Sequence, residues 1–530
     1  MQKKLTLLVL FLFVITSFAQ RNVVLIIADD LGKDYCDIYP DHGPSVVNLT
    51  NVRRLLPRGV VFNNAWSNPL CSPTRAGILT GRYSFRTGVG DVVDGANTKL
   101  SLNETIIPKM LNLYSPNGIS KACIGKWHVT TSAPAGYSYP NTMGFDYFEG
   151  DLSGALGQPG QLAIGYYNWS KITNGVSSNC TNYATTENVN NAISYINSQP
   201  STKPFYLHLA FNAPHTPYHL PPTNLITNTS LSGLQADITA NPVPYFQAMT
   251  EAMDKEIGRF FDYLISSGKW NNTDIIFIGD NGDDPLVAQS SPSKGSIYQA
   301  GVSVPFIISG PDVVNPNRTS NALVNTADLF ATILELFGDT NWRTRIPTTT
   351  VDSVSLMPIL LNQASSVRPW EFTEIFKLAP TSGDGKAIRN ADYKLMKFDN
   401  GTEKFFNLTN SPLETTNLNL LNGTLNASQI SNYNYLCSEL TNLVGGASFC
   451  NTLGVSVDEP QISINPNPFH NFISIKSDSG NENYKLFSNL GQLIYDGNAI
   501  QNQDFSALSN GIYFLKIIGK ANYTFKLIKQ

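Results

Sequence analysis

The chain has 530 residues, 42% hydrophobic and 14% charged, with a formal net charge of −4. This is ordinary globular composition, long enough for one large domain plus appendages or for two to four domains. Nothing in the charge points to nucleic acid or to an anionic membrane surface as partner. Lys3 and Lys4 precede an apolar run over 5–14, and small residues at Ser17 and Ala19 lead to Gln20. Residues 1–19 read as a secretory signal peptide, too short for a membrane span. No other stretch reads as a transmembrane segment. Export would permit disulfides. Among the 6 cysteines, Cys437 and Cys450 are near in sequence, but spacing alone does not establish a pair.

The first mature segment, 22–28, is a continuous apolar and β-branched run that ends in Asp29 and Asp30. Such a run predicts a strand buried on both faces of a parallel sheet. The pattern recurs. Residues 120–125 lead into Lys126, Trp127 and His128; 204–211 into Pro214 and His215; 274–279 into Asp280 and Asn281. A further strand is expected at 304–308. Helical spacing appears over 186–198, 245–266 and 326–338, the last with Thr326 as cap and Gly338 as stop. Alternating strands and helices imply an α/β core, and ligands bind such sheets at the carboxyl ends of their strands. From 387 to 420 the pattern changes to short strands and turns, including 393–396 and 404–408. Near 455 it changes again, to five short strands separated by Gly and Asn turns, as in a small β-sandwich.

The chemistry-bearing residues follow from these strand ends. Asp29, Asp30, Asp280 and Asn281 form an all-oxygen set, which suits Ca²⁺ or Mg²⁺ rather than zinc. Arg75, Lys126 and Lys294 are candidate anion-binding cations, able to stabilise charge that develops on an ester oxygen. His128 and His215 are candidates for proton transfer. His208, in mid-strand, reads as a packed core residue. Cys71 opens the run Cys71-Ser72-Pro73-Thr74-Arg75, which continues to Thr80-Gly81-Arg82. A cysteine at a helix start sits in positive potential.

The 71–82 run resembles the signature of the formylglycine-dependent (type I) sulfatases, within the alkaline-phosphatase-like superfamily. Gly125-Lys126-Trp127-His128 and the Asp29–Asp30 and Asp280–Asn281 pairs match further family segments. The resemblance runs from about residue 22 to 420. It implies that a separate maturation enzyme oxidises Cys71 to formylglycine (3-oxoalanine). The aldehyde then hydrates; one hydroxyl attacks sulfur and the other expels sulfate. It further implies Ca²⁺ held by Asp29, Asp30, Asp280, Asn281 and residue 71. Arg75 would contact the formylglycine hydroxyl, and Lys126 and Lys294 the sulfate oxygens. His128 would act on the hydroxyl during collapse, and His215 would protonate the leaving alcohol. Residues 294–305 depart from the family, which usually has Glu at 299 and Arg at 303; here Gln299 and Ser303 are both neutral and neither leaves an unpaired charge.

The C-terminal segment opens with Asn465-Pro466-Asn467-Pro468-Phe469 and closes with Lys526-Leu527-Ile528-Lys529-Gln530. It resembles the sorting domain of the type IX secretion system. The expected organisation is a signal peptide (1–19), a sulfatase α/β catalytic domain (20–380), a subdomain with an antiparallel sheet (381–455) and a sorting domain (456–530). The expected fold is an alkaline-phosphatase-like mixed sheet sandwiched by helices, then a smaller α+β subdomain and a small β-sandwich. The expected product is a secreted or cell-surface hydrolase of sulfate esters on a sulfated, algal-type polysaccharide. Alternatives are a phosphodiesterase or phosphonate monoester hydrolase of the same superfamily, or a non-catalytic glycan-binding surface protein.

Overall fold

A computed structural model describes residues 21–94, 99–156, 162–414, 418–445, 450, 463–476, 482–489, 491–518 and 522–530. The signal-peptide reading of 1–19 lies outside the described residues. The chain divides into two compact units, with the break after Asn451.

The first unit is built on a mixed sheet. Its strands are β1 (Asn22–Ala28), β2 (Gly59–Trp66), β3 (Ser120–Lys126), β4 (Tyr147–Asp151), β5 (Trp169–Thr173), β6 (Val176–Cys180), β7 (Phe205–Ala210), β8 (Thr273–Gly279), β9 (Phe306–Ser309) and β10 (Arg318–Asn325). Their order is β10-β2-β9-β8-β1-β7-β3-β4-β5-β6. β8, β1, β7 and β3 are adjacent, and each pairs in parallel with the next. All four therefore end at one edge of the sheet. These are the four strands whose apolar runs lead into candidate site residues.

Both faces of the sheet are covered. Val24, Ile26 and Ala28 of β1 join a core with helices Ala184–Ser198 and Pro242–Ser266. Val23, Leu25 and Ile27 join another, with helix α1 (Cys71–Thr80) and helices Ile107–Tyr114 and Leu329–Leu336. A strand with both faces dry must be apolar at every position, which is why β1 reads as a continuous run. The expected Thr326 cap is corrected. Asn325 caps a short 3₁₀ turn that precedes helix Leu329–Leu336, accepting from the Ala327 amide at 3.0 Å. Thr326 is already inside that turn.

A second, antiparallel sheet holds β11 (Glu371–Ile375), β12 (Gly385–Arg389), β13 (Tyr393–Phe398) and β14 (Glu403–Asn407) in sequential order. It starts ahead of residue 381. Its buried Ile375, Ala387, Met396 and Phe406 pack with Trp66, Leu70 and Ile297. The small sheet thus packs against the segments that flank residues 71 and 294. Cys437, on helix Ala427–Val444, and Cys450 form a disulfide.

The second unit, taken by itself, has a four-stranded antiparallel sheet and a two-stranded one, Ser463–Asn465 with Ser474–Lys476. Phe469, Leu486, Phe505, Tyr513 and Leu515 lie in its core. Of the five short strands expected here, those at 484–487, 493–495, 512–518 and 523–528 form, and the one expected at 472–475 is displaced to Ser474–Lys476.

Gly125 lies one residue before Lys126 at a φ of +93°, and a Cβ there would sit 1.9 Å from the Ala210 carbonyl oxygen. Neither the strand pairing nor the backbone angle tolerates a side chain. Gly125→Ala is expected to destabilise the fold by about 2 kcal/mol or more, read as a lower denaturant midpoint at unchanged slope.

Candidate active site

The carboxylates are placed by the sheet itself. The Asp280 amide donates to the Ala28 carbonyl (3.1 Å), and the Asp29 amide to the Ala213 carbonyl (3.0 Å), so the ladder continues past the strand ends. Asp29, Asp30 and Asp280 are fully buried, and ligand oxygens of all three lie within 4.8 Å of one another. Asn281 joins them, donating from Nδ2 to Asp30 Oδ1 at 2.7 Å. Asp30 has a φ of +63° and His128 a φ of +50°. Left-handed backbone at two polar residues of one cluster is the strain that functional sites retain.

Three cations face this cluster. Arg75, on α1, donates from Nε and Nη2 to Asp280 Oδ2 (2.9 and 2.7 Å) and from Nη1 to the Lys126 carbonyl (2.8 Å). Its hydrogen bonds go to the carboxylate cluster and to β3, where the family resemblance implied contact with the residue 71 side chain. Lys126 Nζ donates to Asp29 Oδ2 at 2.5 Å and to the Gly154 carbonyl at 2.6 Å. Lys294 Nζ donates to Asp30 Oδ2 at 2.6 Å. His215 Nε2 lies 3.6 Å from the same Asp30 oxygen.

Cys71 is the first residue of α1, a buried helix whose first turn accommodates Pro73. Its Sγ lies 3.1 Å from His128 Nδ1. Burial pushes the Cys71 thiol up, although Lys126 and Lys294 pull the other way. The helix start therefore does not make this thiol a free thiolate. Burial also drives His128 well below the usual histidine range, aided by Lys126 and Arg75. His215 falls to about 3, chiefly by burial and against the charge of Asp30. Both imidazoles are thus neutral at pH 7. Burial raises the Asp29 carboxyl despite Lys126. Burial acts on Asp30 too, but the ammonium of Lys294, helped by that of Lys126, holds it well below the carboxylate range.

The ten sequence-predicted residues converge on one site. His208 is buried in β7, 3.2 Å from Tyr206 Oη, as a core residue. Gln299 accepts from Trp66 Nε1 at 2.6 Å, and its amide donates to Glu414 Oε2 at 2.6 Å. Glu414 pairs with Lys394 at 2.6 Å. The ion pair of this region is thus formed without residues 299 and 303. Sequence reasoning missed Tyr166, whose Oη lies 2.5 Å from the Asn212 carbonyl and 2.8 Å from that of His215, bracing the His215 loop. The signal that could have found it is the Gly- and aromatic-rich composition of 151–175, of which 157–161 lie outside the described residues.

Two buried acceptors in the cluster, Asp29 Oδ1 and Asn281 Oδ1, have no hydrogen-bond donor, the nearest cation to the first being Arg75 Nη2 at 3.5 Å. Buried oxygens without a hydrogen-bond donor, set among clustered carboxylates, fit a hard divalent cation with oxygen ligands.

Residues 21–339 match the sulfatase family model, and residues 463–530 match the secretion system C-terminal sorting domain. The chain belongs to the sulfatase family, a class of sulfuric ester hydrolases, and its tail marks it for secretion or cell-surface export. It is 27% identical to human N-acetylgalactosamine-6-sulfatase over 395 residues, covering 69% of this chain and 71% of that one. It is 26% identical to mouse arylsulfatase J, covering 60% of this chain and 52% of the mouse protein, so it spans about half of that relative's length. The fold matches the crystal structure of Ps i-CgsB in complex with k-i-k-neocarrahexaose with a TM-score of 0.66, at 23% identity over 82% of this chain and 94% of that one. It also matches the PsFucS1 sulfatase from Pseudoalteromonas sp. with a TM-score of 0.62, at 21% identity over 82% and 92% of the two chains. Among the described residues no helix is long and apolar enough to cross a membrane.

If the orphaned oxygens are metal ligands, chelating divalent cations lowers the unfolding midpoint, and readdition at about 100 times the dissociation constant restores about 2.7 kcal/mol. Asp29→Asn is expected to abolish most of that difference in calorimetry.

Proposed function

We propose that the protein hydrolyses sulfate esters of a sulfated glycan, using a formylglycine made from Cys71 and a Ca²⁺ ion held by Asp29, Asp30, Asp280 and Asn281. The observation that carries this reading is the gathering of those oxygens, two of them without a hydrogen-bond donor, at the ends of adjacent strands beside Cys71 and His128. The raised thiol of Cys71 adds support, because an unmodified buried thiol is a poor nucleophile. A bound Ca²⁺ would polarise the sulfate group and stabilise an anionic oxygen on residue 71.

The chain's own groups divide the remaining work. In its oxidised, hydrated form residue 71 presents two hydroxyls, one to attack sulfur and one to expel sulfate. His128, held neutral and within hydrogen-bond reach of the residue 71 side chain, takes the proton that the expelling hydroxyl gives up. Lys126 and Lys294 hold sulfate oxygens and offset the charge that develops on them. His215 gives a proton to the leaving oxygen; an anionic ester beside it favours the imidazolium. Arg75 fixes Asp280 and the end of β3. A separate maturation enzyme supplies the oxidation, and the type IX machinery the export.

The glycan class rests on the relatives and on the sorting domain. One relative is named N-acetylgalactosamine-6-sulfatase, and one structural neighbour holds k-i-k-neocarrahexaose. An exported enzyme meets polysaccharides too large to import, which favours an algal-type sulfated polymer or its oligosaccharides.

Mass spectrometry of the residue 71 peptide, after expression with a maturation enzyme, should give an aldehyde. Cys71→Ala should abolish sulfate release from 4-nitrophenyl sulfate. Fully active protein with an intact thiol would refute the mechanism, and faster turnover of aryl phosphate diesters would favour a phosphodiesterase. For His215→Gln, kcat on a sugar sulfate should fall by about 10²–10⁴-fold. The same change should matter far less for 4-nitrophenyl sulfate, whose leaving group needs no proton. Equal losses on both substrates would remove His215 from the acid role.

A further inference from the structure

Lys126 has no exposed surface, and its ammonium has two fixed acceptors, Asp29 Oδ2 and the carbonyl of Gly154. An ammonium carries three donors in tetrahedral directions, so two anchors decide where the third points. The second anchor is itself braced. Gly154 sits in a turn where the Ser153 hydroxyl lies 2.7 and 3.0 Å from the two Asp151 carboxylate oxygens and 2.8 Å from the Ala155 carbonyl. Asp151 ends β4 and pairs with Lys126 across the parallel β3–β4 ladder, and its carbonyl accepts the Trp127 amide at 2.8 Å. The turn is therefore tied to the strand ends that carry Lys126 and His128.

The same glycine touches the second group. A Cβ on Gly154 would meet His128 Cε1 at 2.8 Å and Nε2 at 2.9 Å. Cε1 is bonded to Nδ1, the ring atom that faces Cys71 Sγ and that would itself lie 3.7 Å from the added Cβ. The ring cannot retreat from a side chain there without changing its distance to residue 71.

We infer that Gly154 is a positioning residue for the reaction. Its carbonyl aims the ammonium of Lys126, and its bare α-carbon lets the turn rest on the His128 ring and hold it at residue 71. This rests on the sulfatase reading above.

The test uses the full chain with the residue 71 aldehyde verified by mass spectrometry, and compares the parent with Gly154→Ala and Ser153→Ala. For Gly154→Ala, kcat on a sulfate ester is expected to fall by about 10²-fold, the cost of displacing a catalytic group by roughly 1 Å. KM should stay within about twofold, as for a loss felt in the transition state alone. The chelator-dependent shift in unfolding midpoint should match the parent's, because the carboxylates do not move. Ser153→Ala loosens the turn without filling the space, and should lower kcat less, in the same sense. A Gly154→Ala protein with the parent's kcat, or with only KM changed, overturns the inference. If that variant does not fold, Ser153→Ala decides alone, and an unchanged kcat there overturns it. A parent that carries the aldehyde yet releases no sulfate sinks the functional reading and this one together; a parent that turns over while the variants match it sinks only this one.

Discussion

Three carboxylates buried together are the constraint on which this structure turns. Like charges about 4 Å apart repel by roughly 4 kcal/mol even at an effective dielectric constant of 20. Burial adds a desolvation cost for each ion. Asp29, Asp30 and Asp280 are tolerated because Arg75, Lys126 and Lys294 face them, one cation against each carboxylate. The histidines add no charge, since burial keeps both neutral at pH 7. The chain's own charges therefore balance. Any divalent cation that settles on the orphaned oxygens brings an excess of positive charge, which an incoming anionic ester offsets.

That balance is held by topology. The acidic residues come from β1 and β8, Lys126 and His128 from β3, and His215 from the loop after β7, and these strands are neighbours running the same way. Sequence separations of 250 residues, as between Asp30 and Asp280, become hydrogen-bond contacts. The antiparallel sheet has a different part. Through Trp66, Leu70 and Ile297 it packs behind the segments that lead to residues 71 and 294, and Glu414 reaches from beyond β14 to the Gln299 amide. The two sheets of the first unit thus both support the site.

How much of this was legible follows from burial. β1, β3, β7 and β8 could be read because both their faces are dry, so each carries a short apolar run, unbroken in β1 and β8, just ahead of the site. β2 and β10 were missed. β2 is interrupted by Asn63 and Asn64, and β10 begins as Arg318-Thr319-Ser320-Asn321, at the sheet edge where polar side chains are tolerated. The β5–β6 hairpin was missed for the same reason, since 176–179 are exposed. Side chains with distinctive chemistry were found. The hydrogen bonds of Arg75 were not, because a guanidinium finds whichever acceptors the fold brings near, and one of them is a backbone carbonyl. Gly154 acts through its own carbonyl and through absent bulk, neither of which leaves a mark in a sequence.

The exposures within the site give it a direction. The side chain of Lys126 is fully buried, and Cys71 and His128 are nearly so, while the side chains of His215 and Lys294 each keep 12% of their surface. Access is from the side of His215 and Lys294. On the proposed chemistry a sulfate group enters first and travels inward past Lys294 toward residue 71, while the alcohol stays at His215, nearest to solvent. The deep part of the site then has to fit only a sulfate, whose size does not depend on what carries it. A large glycan need present no more than one protruding ester, and what distinguishes one sugar from another must be read at the rim, around His215 and Lys294.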